Sequence, residues 1–190
     1  MEDKPKLLLH SCCAPCSSGV IDQVFNDFDV TIFFYNPNIY PESEFVKRAE
    51  EQVKFLTAIK DDMKVDYIIC DYLGQDYENA VKGFEQEKEG GSRCEICYRL
   101  RMRKTCEYAK THGFDFFTTT LSVSPYKNAE KLNKIGFEIE SEVGGVKYLS
   151  SNFKKHNGYL NSINNSKKYN LYRQNYCGCK YSLPNNQKSE

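Results

Sequence analysis

Cysteine is the residue type with the most chemistry to offer in this chain. Seven of the nine cysteines lie in three short clusters: Cys12, Cys13 and Cys16; Cys94 and Cys97; Cys177 and Cys179. Nothing in the sequence routes the chain to an oxidising compartment, and in a reduced cytosol such clusters signify metal or redox chemistry more often than structural disulfides. Soft thiolates select iron–sulfur clusters, zinc or copper(I). Cys94 and Cys97 are three apart at an expected helix start, which puts both sulfurs on one face at the positive end of the helix dipole. A Cys-x-x-Cys alone fits zinc, a cluster or a dithiol. Two features favour a cluster: the ligands come from distant parts of a chain with its own core, and there are more thiols than four-coordinate zinc takes. Cys177-Gly178-Cys179 is too tight to ligate one metal comfortably. It can close a strained, readily cycled disulfide or lend one sulfur to a site. Cys70 and Cys106 read as small buried hydrophobes. His10, just before the first cysteines, fits a satisfied structural histidine or a proton donor, while His112 and His156 read as a helix terminus and a surface residue.

The clusters are far apart in sequence, so the fold must bring a first turn, a mid-chain helix and the tail together. Lys6 to His10 reads as a buried strand, 17–25 as a helix, Asp29 to Tyr35 as a strand and Glu42 to Ile59 as a long amphipathic helix. Val65 to Cys70 is a third strand, 75–87 a helix, Cys94 to His112 a helix ending at Gly113, 114–123 a fourth strand, and 124–135 a helix opened by Ser124-Pro125 and running through Asn128. Strands alternating with helices predict an α/β fold, a parallel sheet in a three-layer Rossmann-like sandwich. In such sheets sites form at the carboxyl ends of the strands, where Cys12, Cys13 and Cys16 stand in place of a phosphate-gripping glycine loop.

At 190 residues the chain is expected to form one domain, with an α/β core over 1–146 and a tail over 147–190 that closes the site. Its longest N-terminal apolar run, Leu7 to Leu9, is too short for a signal or a membrane span, so a cytoplasmic protein with no membrane partner is expected. Net charge is zero, yet 147–190 holds eight Lys or Arg against one acid, Glu190. Among these cations, which include Lys154, Lys155, Lys167, Lys168, Arg173 and Lys188, are interleaved Tyr148, Phe153, Tyr159, Tyr169, Tyr172, Tyr176 and Tyr181. That mixture suits a nucleic-acid surface, and equally a solvated helix with its aromatics packed inward.

The strings LLLHSCCAPCSSG, YNPNIYPESEFVKR, RCEICYRLR, FTTTLSVSPYKN and YRQNYCGC, in this order from Leu7 to Cys179, resemble the cobalamin-independent epoxyqueuosine reductases, the QueH family. The resemblance implies a fold similar to adenine nucleotide alpha hydrolases, a [4Fe-4S] cluster and an additional mononuclear iron. It implies the last step of queuosine synthesis: removal of the epoxide oxygen of epoxyqueuosine in tRNA, fed by an electron donor that the sequence does not identify. Carried over by position, Cys12, Cys13, Cys94 and Cys97 match the cluster cysteines, and Cys177 with Cys179 the redox-active pair. Some members carry an aspartate where this chain has Cys16, which is expected to help hold the second iron as Lewis acid on the epoxide. Tyr172 and Arg173 are the candidates for substrate contact, and Lys167, Lys168, Lys154 and Lys155 for phosphates of the anticodon loop.

Two other readings compete. An ATP-dependent tRNA sulfur transferase shares the fold, but needs a Ser-Gly-Gly-x-Asp-Ser type loop where this chain has Ser11-Cys12-Cys13-Ala14-Pro15-Cys16. A zinc-stabilised RNA-binding module without catalysis is the other.

Overall fold

The computed structural model describes residues 4–183; Lys188 and Glu190, counted in the tail's charge balance, lie outside them. Strand β1 (Lys6–His10) has no side for water, since Leu7, Leu8, Leu9 and His10 are all fully buried. Such a strand is stable in the middle of a parallel sheet covered on both faces. It pairs with β2 (Asp29–Phe34) on one side and β4 (Phe116–Thr119) on the other. With β3 (Asp66–Ile69) and β5 (Lys147–Tyr148) the sheet has five strands in the order β3-β2-β1-β4-β5, every neighbouring pair parallel.

Alternation along β1 sorts the core into two layers. Leu7 and Leu9 pack with Val30, Ile32 and with Phe55, Leu56 and Ile59 of α3 (Glu42–Ile59). Leu8 packs with Phe33, Phe117, Met102 of α5 (Ser92–Thr111) and Leu132 and Ile139 of α6 (Ala129–Val143). Each leucine so buried stabilises the fold by about 2 kcal/mol. The result is the expected three-layer α/β sandwich. Chain order reverses between β1 and β4, and at such a point a crevice opens beyond the carboxyl ends of the two strands. No helix among the described residues is long and apolar enough to cross a membrane.

Several elements depart from the expected bounds for physical reasons. The helix read over 17–25 is two pieces, α1 (Ala14–Ser18) and α2 (Ile21–Val24), split at Gly19, where an added Cβ would lie 2.3 Å from the Gly158 carbonyl oxygen. The helix read over 75–87 is only α4 (Gly74–Ala80), because Gly83 turns the chain at φ +89°. The fourth strand is short: pairing with β1 ends at Thr119, whose hydroxyl accepts the Leu121 N–H and starts a 3-10 turn over Thr120–Val123. Helix α6 starts only at Ala129, where the Asn128 side chain caps it by accepting the Lys131 N–H, and runs on to Val143 before stopping at Gly144, φ 63°. In the tail, α7 (Gly158–Lys168) is helical despite its polar sequence, because it buries the small residues Gly158, Ser162 and Ser166.

Candidate functional site

At the end of β1 the chain turns directly into α1, and Cys13 is the residue before its first turn. Its backbone is extended (φ −172°, ψ 153°) and its sulfur accepts the Cys16 N–H at 3.4 Å, standing where Ser or Asp ordinarily caps a helix. This one turn brings three thiols together: Sγ separations are 3.9 Å for Cys12–Cys13, 3.7 Å for Cys12–Cys16 and 2.7 Å for Cys13–Cys16. The group has the spacing of a metal-binding triad. Beneath it lies a buried polar network, in which Ser17 Oγ–H donates to Gln52 Oε1 at 2.8 Å and Asn36 Nδ2–H to the Ser11 carbonyl at 2.8 Å.

His10 is part of this scaffold, with both ring nitrogens engaged. Its Nε2 lies 3.2 Å from the Tyr35 carbonyl, which can only accept, so Nε2 carries the proton and Nδ1 accepts from Thr119 Oγ1 at 2.9 Å. Burial lowers its pKa to about 4, helped by the Arg101 charge, and the ring is neutral at pH 7.

The second thiol pair opens α5, with the Gly90 N–H donating to Cys94 Sγ at 3.2 Å. Cys97 is buried in an apolar cluster with Tyr77, Val81 and Cys179. The third pair arrives with the tail, which is pinned to the loop after β2 and to α3. Tyr40 N–H donates to the Gly178 carbonyl at 2.8 Å, Arg48 Nη1–H to the Cys177 carbonyl at 3.3 Å and Nη2–H to the Tyr176 carbonyl at 3.4 Å. Gly178 takes φ +125° and packs on Asn38, Ile39 and Arg48, a close approach open only to glycine. Cys177 thereby reaches the same cleft wall as Cys12 and Cys16, while Cys179 turns back toward Cys97.

Cys12, Cys16 and Cys177 thus share one cleft wall, while Cys97 packs with Cys179 in a separate buried cluster. Burial disfavours the charge on Arg101, but its proximity to the Cys97, Cys12 and Cys177 sulfurs more than offsets this and raises its pKa. Lys127, on the loop after β4, is likewise desolvated and is held charged by Cys177 and Cys12. Within the triad, hydrogen bonds from Cys13 and Cys16 draw the Cys12 thiol well below its ordinary value. Burial pushes Cys13 up to about 12, and contact with the Cys12 and Cys13 sulfurs raises Cys16 well above the usual thiol range. Burial also lifts Cys97 to about 12 and Cys94 upward.

The open space in front of these sulfurs is a cleft of about 600 Å³ walled by Cys12, Cys16, Cys177, Lys127, Arg173 and Tyr176, with Tyr126 and Tyr159 on its lining. Tyr126 is 92% exposed. Of the sequence candidates, Arg173 lines the cleft and donates from Nη1 to the Ser162 carbonyl and Ser166 Oγ, each at 3.0 Å. Tyr172 is turned away: its hydroxyl donates to Glu44 at 3.1 Å and Lys47 sits over its ring. Lys167 and Lys168 are in the last turn of α7, beside Tyr169, which packs on Phe55 near the end of α3, and neither lines the cleft. Sequence reasoning missed Arg48, Arg101, Lys127 and Tyr126. Arg101 had a signal, since it lies one helical turn after Cys97 on the same face.

Comparison with known proteins agrees along nearly the whole chain. The profile of a family described as Epoxyqueuosine reductase QueH matches residues 7–185. The chain is 39% identical to Epoxyqueuosine reductase QueH of Streptococcus pyogenes serotype M1 over 181 residues, covering 94% of this chain and 71% of that protein. It is 40% identical to the same-named protein of Staphylococcus epidermidis over 184 residues (95% and 77%) and 37% identical to that of Thermotoga maritima over 177 residues (93% and 90%).

Proposed function

The chain belongs to the epoxyqueuosine reductase QueH family, and from that premise we propose that it deoxygenates epoxyqueuosine to queuosine in tRNA at the thiol-lined cleft, with an iron–sulfur centre. The observation that supports this reading is the Cys12, Cys13 and Cys16 triad at the end of β1, with Cys177 of the tail on the same cleft wall. The residues present fit such a centre. The triad offers only sulfur, which iron–sulfur clusters take, and among the described residues the buried Nη2 of Arg101 has no acceptor, which calls for an anionic group. Cys12, Cys13, Cys94 and Cys97 are assigned to a [4Fe-4S] cluster, and Cys16 with a neighbouring thiolate to an additional iron. Thiols whose pKa is raised by burial must release protons when metal is loaded, so assembly is favoured at higher pH.

Turning an epoxide into an alkene takes two electrons and two protons and releases the oxygen as water. When bound, the iron–sulfur centre supplies electrons singly and an open iron supplies a Lewis acid for the epoxide oxygen. The chain's own residues do the rest. Cys177, on the cleft wall, and Cys179 behind it relay the second reducing equivalent from an external electron donor. Tyr126 and Tyr159 offer faces on which unstacked anticodon-loop bases pack, and Arg173, Lys127, Lys154 and Lys155 offer charge to phosphates. Lys167 and Lys168 extend that basic face along α7 beyond the cleft. Tyr172 is assigned to holding the tail through Glu44. The enzyme acts where tRNA is matured, in the cytoplasm.

The decisive test is anaerobic incubation of iron- and sulfide-reconstituted protein with tRNA carrying epoxyqueuosine, followed by nucleoside mass analysis. Conversion to a nucleoside one oxygen lighter is expected. A colourless protein that holds stoichiometric zinc and leaves the nucleoside unchanged would instead identify the non-catalytic RNA-binding module.

A further inference from the structure

Three arginines along one stretch of α5 have different fates. Arg99 and Arg103 face outward and pair with Glu138, Glu142 and Glu107. Arg101, between them, is 1% exposed and has no carboxylate partner among the described residues. Its Nε–H donates to the Cys97 carbonyl at 3.2 Å, its guanidinium lies 5.9 Å from the centre of the Tyr98 ring, and Nη2 meets no acceptor. A buried guanidinium left in that state costs several kcal/mol, so a fold that retains it is built around a negative charge yet to arrive. Its charge is felt by Cys97, Cys12 and Cys177, one sulfur from each of the three clusters. Lys127 is felt by Cys177, Cys12 and Cys16 and lies on the cleft wall, less buried than Arg101.

We infer that Arg101 is a positioning residue that serves as the fixed counter-charge of the cysteine-held centre, and so sets how readily that centre accepts an electron. The inference rests on the iron–sulfur reading above. Taking up an electron makes an already anionic centre more negative, and a cation held in a low-dielectric pocket beside it stabilises the reduced form more than the oxidised one. Arginine suits the task because it does not lose its proton in any accessible pH range. Removing the charge shifts the midpoint potential downward.

The test is an anaerobic redox titration of the reconstituted protein and of Arg101→Gln and Arg101→Lys, with iron and sulfide content measured on each. In Arg101→Gln electron uptake is expected to be about tenfold less favourable, which is ~59 mV for one electron. Arg101→Lys restores most of it. A Gln variant that fails to hold iron while the Lys variant holds it supports the same assignment, because charge alone separates the two. The inference is overturned if Arg101→Gln carries full iron and sulfide at the parent's potential, or if both variants lose the centre alike, which is a packing role. A parent protein with no iron–sulfur signal overturns the underlying reading as well, and that failure is visible before any variant is made.

Discussion

The two ends of the sulfur pocket are built in opposite ways. Cys12, Cys13 and Cys16 are placed by five consecutive residues, a strand end and a helix cap, resting on a buried network of Ser11, Ser17 and Gln52. Cys177 and Cys179 have no regular element of their own and are placed by what α3 and the β2 loop hold for them, chiefly Arg48, Tyr40 and Glu44. The first group is a local structure that tertiary packing then covers; the second exists only as a docked strap. One pocket thus joins a part built by local structure to a part held in place by long-range hydrogen bonds and packing.

The largest effect should separate chemistry from architecture within the triad. Cys16→Ser is expected to keep most of the cluster absorbance and lose turnover by roughly 100-fold or more, read by visible spectra beside the nucleoside assay. Full turnover in that variant removes the second iron from the scheme. Next is the strap. Arg48 is 1% exposed and pairs with a Glu44 that is itself 11% exposed, so Arg48→Met strands a nearly buried carboxylate and two tail carbonyls and should cost about 4 kcal/mol. The loss should appear as rapid proteolysis and amide exchange over 171–183, while β1 and α1 stay protected. Equal loosening at both ends would break the comparison. The smallest is an acid limb at the triad's base. His10 has its folded pKa below the ordinary 6.5, at about 4, so the unfolded chain binds a proton first as pH falls. Stability is complete above about 6.5 and declines by about 3 kcal/mol by pH 4. His10→Gln should flatten that slope in denaturant titrations, and an unchanged slope would mean that other groups produce it.

How much of this was legible before the fold was known differs by element. The apolar run of β1, the β-branched and aromatic β2 and the stripe of α3 stood in the sequence because their burial pattern is periodic. The α7 helix was ambiguous for the converse reason: its inward face is Gly158, Ser162 and Ser166, small residues that give no hydrophobic signal yet allow close packing. The break after α1 was invisible because it is set by Gly158, far along the chain. Within the site, the thiols stood out by spacing alone, but Arg48 and Arg101 did not, since arginine is read as surface until a partner buries it. The substrate residues were read from tail charge, which does not show what lines the cleft. Lys127 and Tyr126, on the loop after β4, flank the sulfurs more closely than Lys167 and Lys168 do.

The seam between Gly19 and α7 carries a consequence for how this protein can vary. Gly19 ends the short helix that holds Cys16, and its Cα faces the Gly158 carbonyl, while Gly158 in turn lies against the Phe153 carbonyl, where an added Cβ would sit 1.8 Å away. A methyl group on Gly19 must push the end of that helix off the Gly158 carbonyl, and one on Gly158 must push α7 off the Phe153 carbonyl. Two positions with no reactive atom thus set how closely the helix that carries Cys16 can pack on α7, and no larger residue at either should be accommodated without moving it.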